Sequence, residues 1–206
     1  MQTGLLGNLE RGLVFIVSAP AGTGKTTLVK KLLDEEPSVT RSVSYTTRKA
    51  RQNEIDGEDY HFVTQEIFKK KIEENDFLEH VFLFDNCYGT CVRAIEEQQE
   101  QGKHVVLVID TQGAIIIQKK INAISIFISP PSFEELQRRL EERNTESEKD
   151  LQQRLEWAQK ELMLIENYDY HVVNEKLESA YQMLKSIFVA EELKSNRMKK
   201  SVIKNY

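Results

Sequence analysis

The chain is 206 residues long, enough for one well-packed domain with small insertions, and its 40% apolar and 30% charged residues are the mix of a soluble globular protein. A net charge of −5 argues against a general nucleic-acid coat or an anionic membrane surface as partner, so an anionic substrate has to be held by local basic clusters. Two cysteines, Cys87 and Cys91, read as free thiols of a reducing compartment; with no cationic start leading into an apolar core and no apolar run of membrane-spanning length, the expectation is a cytoplasmic chain without a membrane span.

In chain order, residues 1–12 read as a loose, polar, glycine-containing lead-in. Leu13–Val17 is an apolar, β-branched run that predicts a buried strand. Next comes Ser18-Ala19-Pro20-Ala21-Gly22-Thr23-Gly24-Lys25-Thr26-Thr27, and then Leu28, Val29, Leu32 and Leu33 at helical spacing up to about Glu36, before Pro37. Val39–Tyr45 reads as a second strand. Thr46–Asp59 is polar and turn-rich, with Asp56-Gly57 as its turn signal, and Tyr60–Val63 is a short strand. Thr64 can cap a helix carrying Ile67, Phe68 and Ile72; Phe77–Phe84 is a strand, Asp85-Asn86 a turn and Val92–Gln101 a polar helix.

From His104 onward strands and helices alternate. His104–Ile109 is a continuous apolar strand with Asp110 at its carboxyl end, Gln112–Lys120 a short helix and Ile124–Ser129 another buried strand. Pro130-Pro131 breaks the chain, and Ser132 with Glu135 forms a capping box for a helix bearing Arg138, Arg139 and Arg143. Ser147 and Asp150 mark a second cap, opening a helix through about Glu166. Tyr170–Val173 is a short strand, Leu177–Ala190 a closing helix and 191–206 a basic tail, frayed or weakly docked. The prediction is therefore an α/β fold: a parallel sheet flanked by helices, interrupted by a mixed segment at about 41–91 and a helical hairpin at about 132–167. Parallel sheets bind ligands at the carboxyl ends of their strands, where the glycine loop and Asp110 can share one site.

Strand, glycine loop and helix are the context of a phosphate-binding P-loop. Gly22 and Gly24 let backbone N–H groups approach phosphate oxygens, and the helix start adds partial positive charge. Lys25 can reach the β- and γ-phosphates and the Thr26 hydroxyl can ligate Mg²⁺. Ala19 stands where the usual pattern opens with glycine. The four histidines, His61, His80, His104 and His171, are scattered and carry no catalytic assignment.

Four blocks of this sequence resemble the guanylate kinase family: residues 18–27; Ser44-Tyr45-Thr46-Thr47-Arg48-Lys49-Ala50-Arg51 with Asp56-Gly57-Glu58-Asp59-Tyr60; Phe77-Leu78-Glu79 with Tyr88-Gly89-Thr90; and Ile109-Asp110-Thr111-Gln112-Gly113 with Pro130-Pro131-Ser132. The likeness spans about 12–190. It implies a P-loop NTPase core at about 12–40, 92–131 and 168–190, a GMP-binding segment at about 41–91 and a lid at about 132–160. The implied reaction is ATP + GMP giving ADP + GDP with Mg²⁺, with dGMP as a further acceptor. The partners are then nucleotides, with no nucleic acid and no membrane, and a monomer or a homo-oligomer equally.

The resemblance also implies residue roles. Residues 19–26 (Ala19, Pro20, Ala21, Gly22, Thr23, Gly24, Lys25 and Thr26) cradle ATP, with Asn174 on the adenine side. Arg139, Arg143 and Arg154 are lid arginines that close, with Lys25, over the transferring phosphoryl group. Arg48 and Arg51 offer guanidinium forks to the GMP phosphate, joined by Tyr60 and Tyr88. Glu79 reads N1–H and N2–H₂ of guanine, since a carboxylate only accepts, while Ser44 and Thr90 donate to O6. Asp110 touches the GMP side or orients Mg²⁺ through water. Val108 stands where an acidic residue is expected two before Asp110, and Asn144 replaces a lid glycine. Two rivals remain: a catalytically inactive scaffold module, against which Lys25, Thr26 and the lid arginines speak, and a P-loop kinase for another acceptor, against which Glu79, Ser44 and Thr90 speak.

Overall fold

In the computed structural model, which describes residues 6–83, 85–142 and 148–197, the chain forms two sheets. The larger contains β1 (Val14–Ser18), β2 (Val39–Ser42), β7 (His104–Val108), β8 (Ile124–Ser129) and β9 (Tyr170–Val173). All pairs are parallel, in the order β2-β7-β1-β8-β9. Every residue of β1 and β8 is buried, as strands covered on both faces require. Alternation sends Phe15 and Val17 to one face and Val14 and Ile16 to the other. On the first face, α1 (Lys25–Glu35) supplies Leu28, Val29 and Leu32, and α7 (Leu177–Glu192) supplies Ala180, Tyr181, Leu184 and Phe188. Phe188 stacks on Phe15 with ring centroids 3.7 Å apart. On the second face, α3 (Val92–Glu100) and α4 (Thr111–Lys120) bring Ile95, Ala114 and Ile117 onto Val105 and Leu107. Each such Val, Leu, Ile or Phe side chain contributes about 1.5–3 kcal/mol by leaving water.

The smaller sheet has the order β4-β3-β6-β5, from β3 (Tyr45–Thr46), β4 (His61–Phe62), β5 (Phe77–Leu83) and β6 (Asn86–Cys91). Thr64 caps α2 (Gln65–Glu73), its hydroxyl accepting the Ile67 N–H at 3.3 Å. Phe68 and Phe77 pack against each other over Gly89. A third unit is the hairpin of α5 (Phe133–Glu141) and α6 (Glu148–Leu162), closed by Leu136, Leu140, Leu155 and Ala158.

Several expectations are corrected. The single strand read over Val39–Tyr45 is two: Ser42 is the last ladder partner of Leu107, and after Val43 and Ser44 the chain enters the other sheet. The strand β6 was not anticipated, because Gly89 and the polar residues around it give no strand signal; it exists through its antiparallel pairing with β5 and β3. The helix read through about Glu166 ends at Leu162, and Ile165–Asn167 is a separate 3₁₀ turn. Ser132 caps α5 through the Glu135 N–H, but the Glu135 carboxylate turns forward to Arg138 and Arg139, so only half of the capping box forms. The lead-in is not loose at 6–8: Leu6 is buried, and Gly7 and Asn8 donate their backbone N–H groups to Glu192. Arg197 ties the start of the tail to Glu191. The cap read from Ser147 and Asp150 rests on side chains outside the described part, as do Asn144 and residues 198–206. No helix among the described residues is long and apolar enough to cross a membrane.

Candidate active site

At the carboxyl end of β1 the chain turns through residues 19–24 into α1. Gly22 and Gly24 adopt φ of +90° and +87°, and a Cβ on Gly24 would stand 2.6 Å from Asn174 Nδ2. Thr23, fully buried, fixes the turn by donating its hydroxyl and its N–H to the Pro20 carbonyl at 2.8 and 3.3 Å. Ala19 lies outside the left-handed region, so an alanine in place of glycine carries no backbone strain there. Gly24 caps α1 without a side-chain acceptor, which leaves the first N–H groups of the helix available to an anion. The Lys25 ammonium reaches the carbonyl of Ile109, 3.3 Å away at the end of β7.

This loop forms one wall of a cleft of about 310 Å³. Ser44, Arg51, Tyr60, Glu79 and Tyr88 line its other half, Asp110 stands after β7, and α6 contributes Arg154, Trp157 and Glu161. Of the residues singled out by sequence, the structure therefore brings together Ala19–Thr26, Ser44, Arg51, Tyr60, Glu79, Tyr88, Asp110 and Arg154. Arg143 lies outside the described residues.

Four others sit apart from the cleft lining. Thr90 is fully buried beneath Glu79 and donates its hydroxyl to Glu79 Oε1 at 2.6 Å. In this arrangement its one proton goes to Glu79. Arg48 makes a bidentate pair with Glu54 at 2.9 and 2.8 Å and lies over the Tyr60 ring at 5.4 Å. Glu54 also accepts the Arg51 N–H at 2.8 Å, so one carboxylate shapes the whole basic turn. Asn174 is buried at the end of β9 and donates Nδ2–H to the Thr23 carbonyl at 2.6 Å, bracing the glycine loop. Arg139 is oriented by Glu135 at 2.7 Å and donates to the Asn174 carbonyl at 3.1 Å. Arg139 and Asn174 line a second groove together with Gly22, Gly24 and Thr27.

Burial governs the electrostatics. Glu79 is 3% exposed, and burial, reinforced by Asp110 and countered by Thr90 and Lys120, pushes its carboxyl up to about 7. Its Oε2 is buried without a hydrogen-bond partner. Lys25 is shifted down by burial, against the attraction of Glu161 and Asp110. Glu161 is likewise pushed up to about 7 by burial, opposed by Lys25. Asp110 caps α4 through Oδ1, which accepts the N–H groups of Gln112 and Gly113 at 2.7 and 3.2 Å.

Among the described residues no group of three His, Cys, Asp or Glu side chains is arranged to hold a metal ion. The cleft lining offers hard oxygens from the Thr26 hydroxyl and from the carboxylates of Glu79, Asp110 and Glu161, among others. Such an oxygen set suits Mg²⁺ carried mainly by substrate phosphates and water.

Glu54, Trp157 and Glu161 went unnoticed in the sequence. For α6 a signal exists: Arg154, Trp157 and Glu161 are spaced by three and four, which puts them on one helical face. Glu54, three residues after Arg51, carries no comparable mark among 33 acidic residues.

Comparison with known proteins identifies the family. The family described as Guanylate kinase matches residues 11–191. A guanylate kinase of Protochlamydia amoebophila is 51% identical over 185 residues, covering 90% of this chain and 94% of that protein. One of Chlamydia pneumoniae is 48% identical over 180 residues, covering 87% and 88%. The crystal structure of guanylate kinase from Anaplasma phagocytophilum superposes with a TM-score of 0.77 at 35% identity, covering 94% of this chain and 92% of that one. The chain belongs to the guanylate kinase family, and its reaction is phosphoryl transfer from ATP to GMP.

Proposed function

We propose a division of labour among the residues of the cleft. The N–H groups of the glycine loop and Lys25 hold the ATP phosphates, and Arg154, with Arg143, neutralises the group in flight. Phosphoryl transfer depends on positioning and charge stabilisation, and an arginine at the transferring group is worth about 10³–10⁵ in rate. Arg139 and Asn174, which share a groove with Gly22, Gly24 and Thr27, take the adenosine end of ATP, a reading that differs from the lid role expected for Arg139. Arg51, Tyr60 and Tyr88 hold the GMP phosphate; Arg48 joins them or supports them through Glu54. Ser44 donates to O6, and Glu79 accepts N1–H and N2–H₂. Thr90 acts on the base through Glu79. Thr26 would hold Mg²⁺ together with the ATP phosphates, and the ion would supply charge neutralisation at the transferring group. Asp110, in the cleft lining at the start of α4, would orient the water around that ion or the GMP ribose.

The observation that carries the guanine assignment is the buried, unpartnered Oε2 of Glu79 in the same cleft as the P-loop. A buried acceptor without a donor is costly, and a ligand with two donors at the right spacing removes that cost. The test is ATP- and Mg²⁺-dependent diphosphate formation from GMP, dGMP, IMP, AMP, UMP and CMP. Turnover is expected with GMP and dGMP, because nothing in the lining demands a 2′-hydroxyl. It should be sharply lower with IMP, which lacks the N2 amine. Equal turnover of IMP and GMP would remove Glu79 from the recognition of N2–H₂.

A further inference from the structure

Gly113, in the first turn of α4, has no role in the assignment above. It is not in the left-handed region, so its backbone does not require glycine. Within a helix, glycine is less favourable than alanine. Something other than backbone geometry therefore accounts for a residue without a side chain here. A Cβ built at this position would stand 3.1 Å from Glu79 Oε2, 3.2 Å from its Cδ and 3.6 Å from Oε1. Ordinary van der Waals contact begins near 3.4 Å. The carboxylate of Glu79 thus lies flat against the space that any side chain at 113 would fill.

We infer that Gly113 is a specificity-determining position, whose missing side chain sets the depth at which the Glu79 carboxylate meets the guanine edge. Both partners are held where they meet. Glu79 Oε1 is fixed by the Thr90 hydroxyl at 2.6 Å, and the side chain is buried. The backbone of Gly113 is held by Asp110, which accepts its N–H at 3.2 Å, and the next residue, Ala114, bonds the Asp110 carbonyl at 3.0 Å. An added methyl group therefore drives the carboxylate toward the cleft and off Thr90. Two acceptor oxygens must match two donors at once, so a displacement of a few tenths of an ångström harms the bidentate contact with guanine most. A base offering N1–H alone loses less. The inference rests on the reading of Glu79 as the guanine acceptor, and it adds the feature that places that acceptor.

The test uses the full chain and steady-state kinetics for GMP, IMP and ATP, with wild type, Gly113→Ala, Gly113→Val and Glu79→Gln, and a thermal melt of each. Gly113→Ala is expected to raise KM for GMP about tenfold, the scale of one bidentate base contact. The preference for GMP over IMP should shrink, KM for ATP should stay within about twofold, and the melting temperature should not fall, because alanine favours the helix. Gly113→Val should go further in the same direction. If Glu79→Gln raises KM for GMP while both Gly113 variants leave it and the GMP-to-IMP preference unchanged, the spacing role is overturned and the guanine reading stands. If Glu79→Gln itself leaves KM for GMP unchanged, the guanine reading falls and takes the spacing role with it. Equal rises for GMP and ATP would place Gly113 in general packing and would also overturn the inference.

Discussion

As the proposed acceptor for guanine, Glu79 is asked to do two things that pull against each other. Burial keeps competing water away from the base edge, and the same burial pushes the carboxyl up to about 7, so near neutral pH the empty pocket holds it partly protonated. Guanine needs the ionised form, because a protonated carboxyl turns one acceptor into a donor. Below about pH 7 each bound GMP must displace a proton, and KM for GMP should rise by up to about tenfold per unit of pH; above it the profile should flatten. The GMP phosphate itself titrates near pH 6, so the comparison is with Glu79→Gln, which shares the phosphate but lacks the carboxyl. A bend near pH 7 in the wild type alone is the expected result, and the same bend in both proteins would remove Glu79 as its source. The sign for stability follows from the same shift. A carboxyl raised in the folded state binds more protons folded than unfolded, so the empty protein loses stability as pH rises from about 4.5 to about 7.

At the scale of elements, α6 is where the sequence says least and the site depends most. Its cleft-facing stripe carries Arg154, Trp157 and Glu161, and a second stripe, Leu155 and Ala158, packs on α5. Trp157 is the only tryptophan of the chain, so its emission reports on this cleft alone. If α6 closes on bound nucleotide, adding ATP, GMP or both should change tryptophan intensity or shift its maximum, with Trp157→Phe silent. An unchanged spectrum at saturating nucleotide would mean that α6 does not change its surroundings on binding. Elements whose burial is two-sided or whose caps are local were legible in the sequence: β1, β7 and β8 stand where their apolar runs predict, and Thr64 and Ser132 cap the helices that they precede. The glycine loop was legible for a similar reason, since its φ values at Gly22 and Gly24 are a local demand. What the sequence hid is pairing at a distance. The strand β6 owes its existence to β5 and β3, and nothing local tells which carboxylate faces which cation, so Glu54 on Arg48, Glu135 on Arg139 and Glu161 near Lys25 appear only in three dimensions. The hydrogen bond of Thr90 to Glu79 is hidden in the sequence for the same reason.

Across the whole molecule the two ends of the parallel sheet have separate tasks. The carboxyl ends carry the glycine loop and Asp110, and the amino ends are closed by a buried clamp around Glu192. That carboxylate, at the end of α7 and 2% exposed, accepts the backbone N–H groups of Gly7 and Asn8 at 2.8 and 2.7 Å, the Asn8 amide at 2.8 Å and the His104 ring at 2.5 Å. His104, fully buried at the start of β7, takes the Leu13 N–H on Nδ1 at 3.0 Å, so its proton sits on Nε2 and faces Glu192. One side chain thus joins the lead-in, the entry to β1, β7 and the last helix. Burial pushes the Glu192 carboxyl up, and its hydrogen bonds with Gly7, His104 and Asn8 outweigh that and hold it below the ordinary value. A carboxyl depressed in the folded state contributes stability that is present above the unfolded value of about 4.5 and is lost as pH falls through the folded one. Glu192→Gln keeps the shape, loses the charge and presents an amide where four donors converge. It should cost about 3 kcal/mol near pH 7 in urea unfolding, the scale of breaking a buried, hydrogen-bonded ionic contact, and the deficit should narrow as pH is lowered. KM for ATP and GMP should not change, because the clamp and the cleft lie at opposite ends of the strands. A deficit that stays constant down to low pH would mean that the charge of Glu192 contributes nothing, and a rise in either KM would show that the two ends of the sheet are coupled.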